Sequence, residues 1–284
     1  MTGTARRLMT ALIAGLFTVL MSGAGYAQQS MRVQQDIQNR VEVDIELVLA
    51  VDVSYSMDAD EQWAQRLGYA QAITSPEVLS AIRSGLTGRI AVGYLEWAGA
   101  YSQRIVVDWQ IIEDDASAKK FADKLMSAGL VRIFRTSISE GLRQAGRMIH
   151  DNRYEGLRKV IDVSGDGPNN QGRLVVSARN AILASGITIN GLPILIKRPA
   201  ANWYDIPNLD EYYQRCVIGG PGSFMVRVRE RSAFARAIRQ KLVLEIAGRS
   251  PLRPDLRPAQ SIAEDPLCTI GERLWNQRNG DTDF

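Results

Sequence analysis

Three short segments carry side chains that together could do chemistry. Asp52-Val53-Ser54-Tyr55-Ser56 alternates one carboxylate with two hydroxyls. Ser164-Gly165-Asp166-Gly167-Pro168-Asn169 holds a second carboxylate between glycines, which let the backbone turn sharply and leave the acid accessible. Thr136 contributes a further hydroxyl. Two carboxylates with hydroxyls and water form an all-oxygen set suited to a hard divalent cation, Mg2+ first, with Mn2+ or Ca2+ as alternatives. Each piece has a plainer reading. Ser54 or Ser56 can cap a helix, Thr136 can cap the helix it opens, and Asp166-Gly167 can be an ordinary turn. What sets them apart is their joint occurrence, each beside a predicted strand end or helix start.

Those residues need elements to position them. Val41 to Glu46 alternates apolar and acidic residues and passes into the apolar run Leu47 to Val51, which predicts a strand that enters half-exposed and becomes buried. Asp52 then lies just past its C-terminal end. A helix from about Asp60 is expected to carry Trp63, Leu67 and Ala70 on one face. Ile90 to Trp97 and Arg104 to Ile112 read as strands joined by a link short enough for a hairpin, hence one antiparallel strand. Helical faces follow at Ala118, Phe121, Ala122, Leu125 and Met126, and at Ile138, Leu142, Ala145 and Ile149. Lys159 to Ser164 is the strand that delivers Asp166; a helix with Leu174, Val175, Ala178 and Ile182 and a strand from Ile187 to Leu195 come next. Ser223 to Val228 reads as the last strand, and Phe234, Ile238, Leu242 and Ile246 mark a final helix. This alternation predicts an α/β fold: a doubly wound, mainly parallel sheet with one antiparallel edge strand and helices on both faces. In such a sheet ligands bind outside the carboxyl ends of the strands, where both acids fall.

At this level the chain resembles the von Willebrand factor A-like domains. Asp52-x-Ser54-x-Ser56, then Thr136, then Asp166-Gly167 look like their metal-ion-dependent adhesion site, and the resemblance covers residues 43–248. It implies a divalent cation held by Asp52, Ser54, Ser56, Thr136 and Asp166, its coordination completed by an acidic group of a protein partner. The Gly219-Gly220-Pro221-Gly222-Ser223-Phe224 stretch and the leader described below also resemble an uncharacterised bacterial branch of exported members. One position departs from the pattern: Gly165 stands where the family usually has a hydroxyl residue, with Ser164 one earlier. The competing reading is a Mg2+-dependent phosphatase or phosphotransferase of the haloacid dehalogenase kind, with Asp52 as nucleophile. That chemistry needs an acid two residues on to protonate the leaving group, where this chain has Ser54, and Asn170 replaces the later acid. The reading carried forward is a binding module, not an enzyme.

Arg6 and Arg7 precede an uncharged, mostly apolar run from Leu8 to Met21 and small residues ending at Ala27. This is the pattern of a cleaved secretory signal peptide, residues 1–27, and implies a periplasmic or secreted protein with no later membrane-spanning segment. The whole chain of 284 residues has 34 basic and 31 acidic side chains, for +3; without the two leader arginines the excess is +1. A nucleic-acid partner, which needs clustered positive charge, loses its main argument. Residues 28–42 form a lead-in, and the prolines at 251, 254, 258 and 266 make residues 249–284 an expected extended tail or wrap without helix or strand.

Other features read more flatly. Cys216 and Cys268 suit one disulfide in an exported chain, with two free thiols as the alternative. With His150 the sole histidine, expected at a helix C-terminus, a zinc site of the usual nitrogen and sulfur ligands is not expected. Asp162, inside an apolar strand, either supports the metal loop or faces solvent. The 25 residues from Lys197 to Pro221 carry Trp203, Tyr204, Tyr212 and Tyr213, which either shape a partner surface or pack within the loop. Arg236, Arg239 and Lys241 read as the wet side of the last helix, with an anionic partner as the minority alternative. Nothing in the sequence sets the oligomeric state.

Overall fold

In a computed structural model, residues 40–196, 206–248 and 265–279 are described. The first strand, β1 (Val41–Asp52), is buried at every residue from Val43 onward. A strand covered on both faces belongs in the middle of a sheet. Ile45, Leu47, Leu49 and Val51 join one apolar cluster, and Val48 and Ala50 join the other. This is the period of two that sends successive side chains to opposite faces.

The chain continues through α1 (Ala59–Ile73), α2 (Pro76–Arg83), β2 (Ile90–Trp97), β3 (Gln103–Ile112), α3 (Asp115–Ser127), α4 (Ile138–His150), β4 (Tyr154–Gly165), α5 (Val175–Ala184) and β5 (Thr188–Pro193). After β5 come α6 (Leu209–Tyr212), a π-helical turn at Tyr213–Val217, α7 (Phe234–Ile246) and α8 (Ile270–Asn279). The five strands lie in the order β3-β2-β1-β4-β5. β2 runs parallel to β1, β5 parallel to β4, and β3 antiparallel to β2 at the edge. Tyr69, Leu79, Phe121, Phe234 and Ile238 cover one face from α1, α2, α3 and α7. Ile138, Leu142, Val175, Tyr212 and Tyr213 cover the other from α4, α5, α6 and the π turn. The chain works outward from β1 and returns on its other side at β4, so a crevice opens between the carboxyl ends of those two strands.

The predicted fold class is the observed one, and several local readings are corrected. Asp44 and Glu46 do not face solvent; they are buried because main-chain donors meet them, Thr87 N–H at Asp44 and Gly156 N–H at Glu46, 2.8 Å each. Trp63 does not belong to the packed face of α1: it is 45% exposed, while Gln62, Gln65 and Arg66 are buried. Ser223–Val228 makes only isolated bridges, Met225 to Gly191 and Val228 to Ile194, so it adds no sixth strand among the described residues. Tyr212 and Tyr213 are fully buried in the core, which removes them from any partner surface; Trp203 and Tyr204 lie outside the described residues. The C-terminal region holds a 3-10 turn at Pro266–Thr269 and helix α8, contrary to the proline argument. Pro266 takes the first turn of that element, where the missing N–H costs nothing. Cys216 and Cys268 are bridged. The leader and the lead-in to residue 39 lie outside the described residues, and among those described no helix is long and apolar enough to cross a membrane.

Candidate metal centre

β1 ends at Asp52 and β4 at Gly165, so adjacent strands deliver Asp52 and Asp166 to one rim of the sheet. Asp52 is fully buried. Its Oδ1 accepts the Ser54 N–H at 2.7 Å, folding the loop back over the strand end. Ser54 and Ser56 share a hydrogen bond of 2.8 Å between their hydroxyls, and Ser56 Oγ donates to Asp166 Oδ1 at 2.6 Å. Four of the five predicted site residues thus form one chain of contacts across 110 residues of sequence.

Thr136 reaches the cluster through its main chain. Its N–H donates to Asn170 Oδ1 at 2.9 Å, and its carbonyl accepts the Asn170 N–H at 2.8 Å. Asn170 follows Asp166 by four residues, so this reciprocal pair fastens the Thr136 loop to the Asp166 loop. Thr136 does not cap α4; Ser137 is the N-cap, its Oγ accepting the Glu140 N–H. Arg135, just before, holds a left-handed φ of 76°, an uncommon conformation for a residue with a Cβ and one found preferentially at functional loops.

Electrostatics explain what the cluster can hold. Burial pushes the Asp52 carboxyl well above the usual carboxylate range, and the charge of Asp166 pushes it further. Asp52 Oδ2 is buried with no hydrogen-bond partner. A buried acceptor left unmatched costs about 1–3 kcal/mol, and two neighbouring carboxylates repel. A divalent cation would answer both, and the donors around it are all oxygen, the preference of hard ions. Among the described residues no three His, Cys, Asp or Glu side chains cluster to hold a metal, so a cation here would depend on the hydroxyls as well as on the two acids.

Several residues that shape this rim escaped sequence reasoning. Gln65 on α1 donates to Ser164 Oγ at 2.7 Å, directly before Gly165. Asn169 is fully buried: its N–H donates to the Tyr212 hydroxyl, its Oδ1 accepts the Ser139 N–H, and its Nδ2 donates to Glu272 Oε1 at 2.8 Å. The run Gly-Pro-Asn-Asn after a strand was the available signal, since Asn side chains often organise turns. Arg135 stacks its guanidinium on Trp275, so α8 touches both the Thr136 and the Asp166 loops. Gly165, the departure from the family pattern, has a steric reason. A Cβ there would lie 2.8 Å from Asp52 Oδ2 and 2.9 Å from the Tyr213 hydroxyl. Asp162 is neither exposed nor at the metal loop: it is buried on β4, with Lys241 Nζ 2.6 Å from its Oδ1. Lys241 is therefore also not on the wet side of its helix. His150 sits in the last turn of α4, exposed, with its Nδ1 2.8 Å from Asp151 Oδ1, and Asp151 is the cap residue.

Residues 42–250 match the family described as Protein of unknown function (DUF1194). The chain belongs to the DUF1194 family. No curated protein matches it in sequence. Among solved structures, the pilus adhesin SpaC of Lactobacillus rhamnosus GG aligns with a TM-score of 0.53 at 14% identity, covering 74% of this chain and 31% of the adhesin. Proximal thread matrix protein 1 of the mussel byssus, solved with a zinc-occupied MIDAS motif, aligns with a TM-score of 0.50 at 14% identity, covering 73% and 46%. A von Willebrand factor type A protein from Catenulispora acidiphila gives 0.49 at 14% identity, over 72% and 43%. The DUF1194 chain shares with the adhesin and the byssus protein the von Willebrand factor A-like fold, and it spans about a third of the length of the adhesin it resembles.

Proposed function

We propose that this DUF1194 protein is an exported binding module that uses a divalent cation, Mg2+ or Mn2+, to capture an acidic group on a protein partner. Asp52, Ser54, Ser56, Thr136 and Asp166 are the residues that would hold the ion. When bound, it supplies a Lewis-acidic centre able to accept one further oxygen ligand. The observation that carries the reading is the unpartnered, buried Asp52 Oδ2 beside a second acid tied in through Ser56.

Three further features support it. Tyr55, between the two serines, stacks on Phe134 with ring centroids 4.3 Å apart, and Arg132 lies over Tyr55 at 4.1 Å. The two rings are 49% and 69% exposed. An exposed aromatic pair beside a cation site suits a partner contact, since aromatic rings anchor interfaces. Two structures of like fold have adhesion or matrix names, and one carries a metal at its MIDAS motif. The disulfide agrees with the export implied by residues 1–27, to the periplasm or beyond. Hydrolytic chemistry has less to work with: Ser54, where a phosphatase would need an acid, hydrogen-bonds Ser56.

Calorimetric titration of the chain with MgCl2 and with MnCl2 tests the site. Binding is expected, and it should weaken by at least tenfold in Asp52→Ala and in Asp166→Ala, since each removes a charged donor. Equal affinity in both variants sinks the assignment. Affinity capture from the exported fraction should then give a partner that a chelator releases.

A further inference from the structure

The ring of Tyr213 lies against two neighbouring strands. A Cβ at Gly191 on β5 would come within 2.9 Å of its Cδ1, and a Cβ at Gly165 on β4 within 2.9 Å of its hydroxyl. Two glycines on neighbouring strands thus leave the lane that the phenol occupies. The same imagined Cβ at Gly165 would meet Asp52 Oδ2 at 2.8 Å. The phenol oxygen and the free carboxylate oxygen therefore border one small space, the space a side chain at residue 165 would fill.

Neither atom has a hydrogen-bond partner, and both are buried. An unmatched buried hydroxyl is costly, so its retention needs a reason. The rest of the ring is well held. Tyr213 opens the π turn whose Cys216 is bridged to Cys268, and Tyr212 packs edge-on against it at 6.4 Å. Single π turns inside helices occur frequently at functional sites.

We propose that Tyr213 supplies, from the segment after β5, the hydroxyl that the end of β4 lacks: a positioning residue whose O–H orients Asp52 Oδ2, or a water on the ion, when the cation is bound. This rests on the metal reading above. Gly165 and Tyr213 then form a matched pair, the glycine giving up its side chain so that a hydroxyl from another element can enter. Groups that orient metal ligands in this way typically change affinity by roughly ten- to a hundredfold when removed.

The test is Tyr213→Phe, which keeps the ring and its packing and deletes only the oxygen. Mg2+ and Mn2+ affinities measured by calorimetry should fall roughly tenfold or more, while the thermal midpoint without cation stays level or rises, because an unmatched buried hydroxyl has been removed. A hydroxyl with only a structural role gives the opposite pattern, a lower cation-free midpoint and unchanged affinity, and that result overturns the inference. If the wild-type chain binds and Tyr213→Phe binds equally well, this inference alone fails. If the wild-type chain binds neither ion, the metal reading fails and takes this one with it.

Discussion

Glu245 is a buried acid on the last helix, paired with the Lys241 that sequence placed on the wet side of that helix. It shares the Lys241 ammonium with Asp162, and Asn190 Nδ2 donates to its Oε1 at 3.0 Å. Arg158 faces the same helix end but spends its guanidinium on the carbonyls of Glu245 and Ile246. Two carboxylates from β4 and α7 thus compete for one cation. Burial pushes Glu245 up to about 7, the Asp162 charge adds to this, and Lys241 opposes it. A folded value above the unfolded one means that the folded state holds the proton more tightly. The stabilisation is complete below about pH 4.5 and is lost as pH rises through about 7. Glu245→Gln should escape that loss. Its thermal midpoint relative to wild type should climb between pH 5 and pH 8, by the equivalent of about 1–3 kcal/mol. A difference that stays constant with pH would mean the group is not titrating in this window. Asp162 and Lys241 could not be assigned from sequence for the same reason: both are normally surface residues, and only the packing of α7 on the sheet pairs them.

At the scale of elements, the α3–α4 loop separates the jobs of two adjacent hydroxyls. Ser137 caps α4, whereas Thr136 is tied by its main chain to Asn170 beside the proposed cation site. Ser137→Ala should cost about 1 kcal/mol of stability with little change in cation affinity. Thr136→Ala should do the reverse. Denaturant unfolding and calorimetry on the two variants check this, and exchanged phenotypes would mean the roles are exchanged. β1, β2 and β3 were legible because their apolar runs follow strand periodicity and a short hairpin link. α1 was read correctly at Ala70 and wrongly at Trp63: beside Tyr69, Ala70 and Ile73 it buries Gln62, Gln65 and Arg66, which hydrogen-bond Val53, Ser164 and Glu96 and so carry no hydropathy signal. Periodicity of apolar residues is blind to such a face.

For the molecule as a whole, the segment 265–279 returns to the carboxyl edge of the sheet. Cys268 is bridged to Cys216 across 52 residues, Asp265 pairs with Arg215 at 2.5 Å, Glu272 reaches Asn169 and Trp275 lies under Arg135. Gly271 allows this approach: a Cβ there would fall 2.0 Å from the Asn169 carbonyl oxygen. The C-terminal helix therefore braces both loops that carry Thr136 and Asp166. Cys268→Ser should lower global stability by about 2–4 kcal/mol, as expected for opening a loop of this size. It should also weaken Mg2+ binding more than the distance from the ion would suggest. Thermal melts with and without Mg2+ measure both effects, and an unchanged cation-induced shift in the variant would show that the brace does not reach the site.

The sequence by itself determined the architecture and the identity of the chemical groups. Apolar runs of strand length alternating with helical faces leave a covered, mainly parallel sheet as the way to bury both patterns, and that sheet puts Asp52 and Asp166 at its carboxyl edge. Hydroxyls spaced two apart after a strand end also point to one rim, and Asp52, Ser54, Ser56 and Asp166 are linked there in a chain of hydrogen bonds. Tertiary structure alone decided which distant residues complete that rim. Gln65, Asn169, Tyr213 and Glu272 come from four separate segments, and no local pattern relates them. Their polar atoms meet because the chain crosses the sheet between them, and burial then leaves each atom to find its partner in space rather than in sequence.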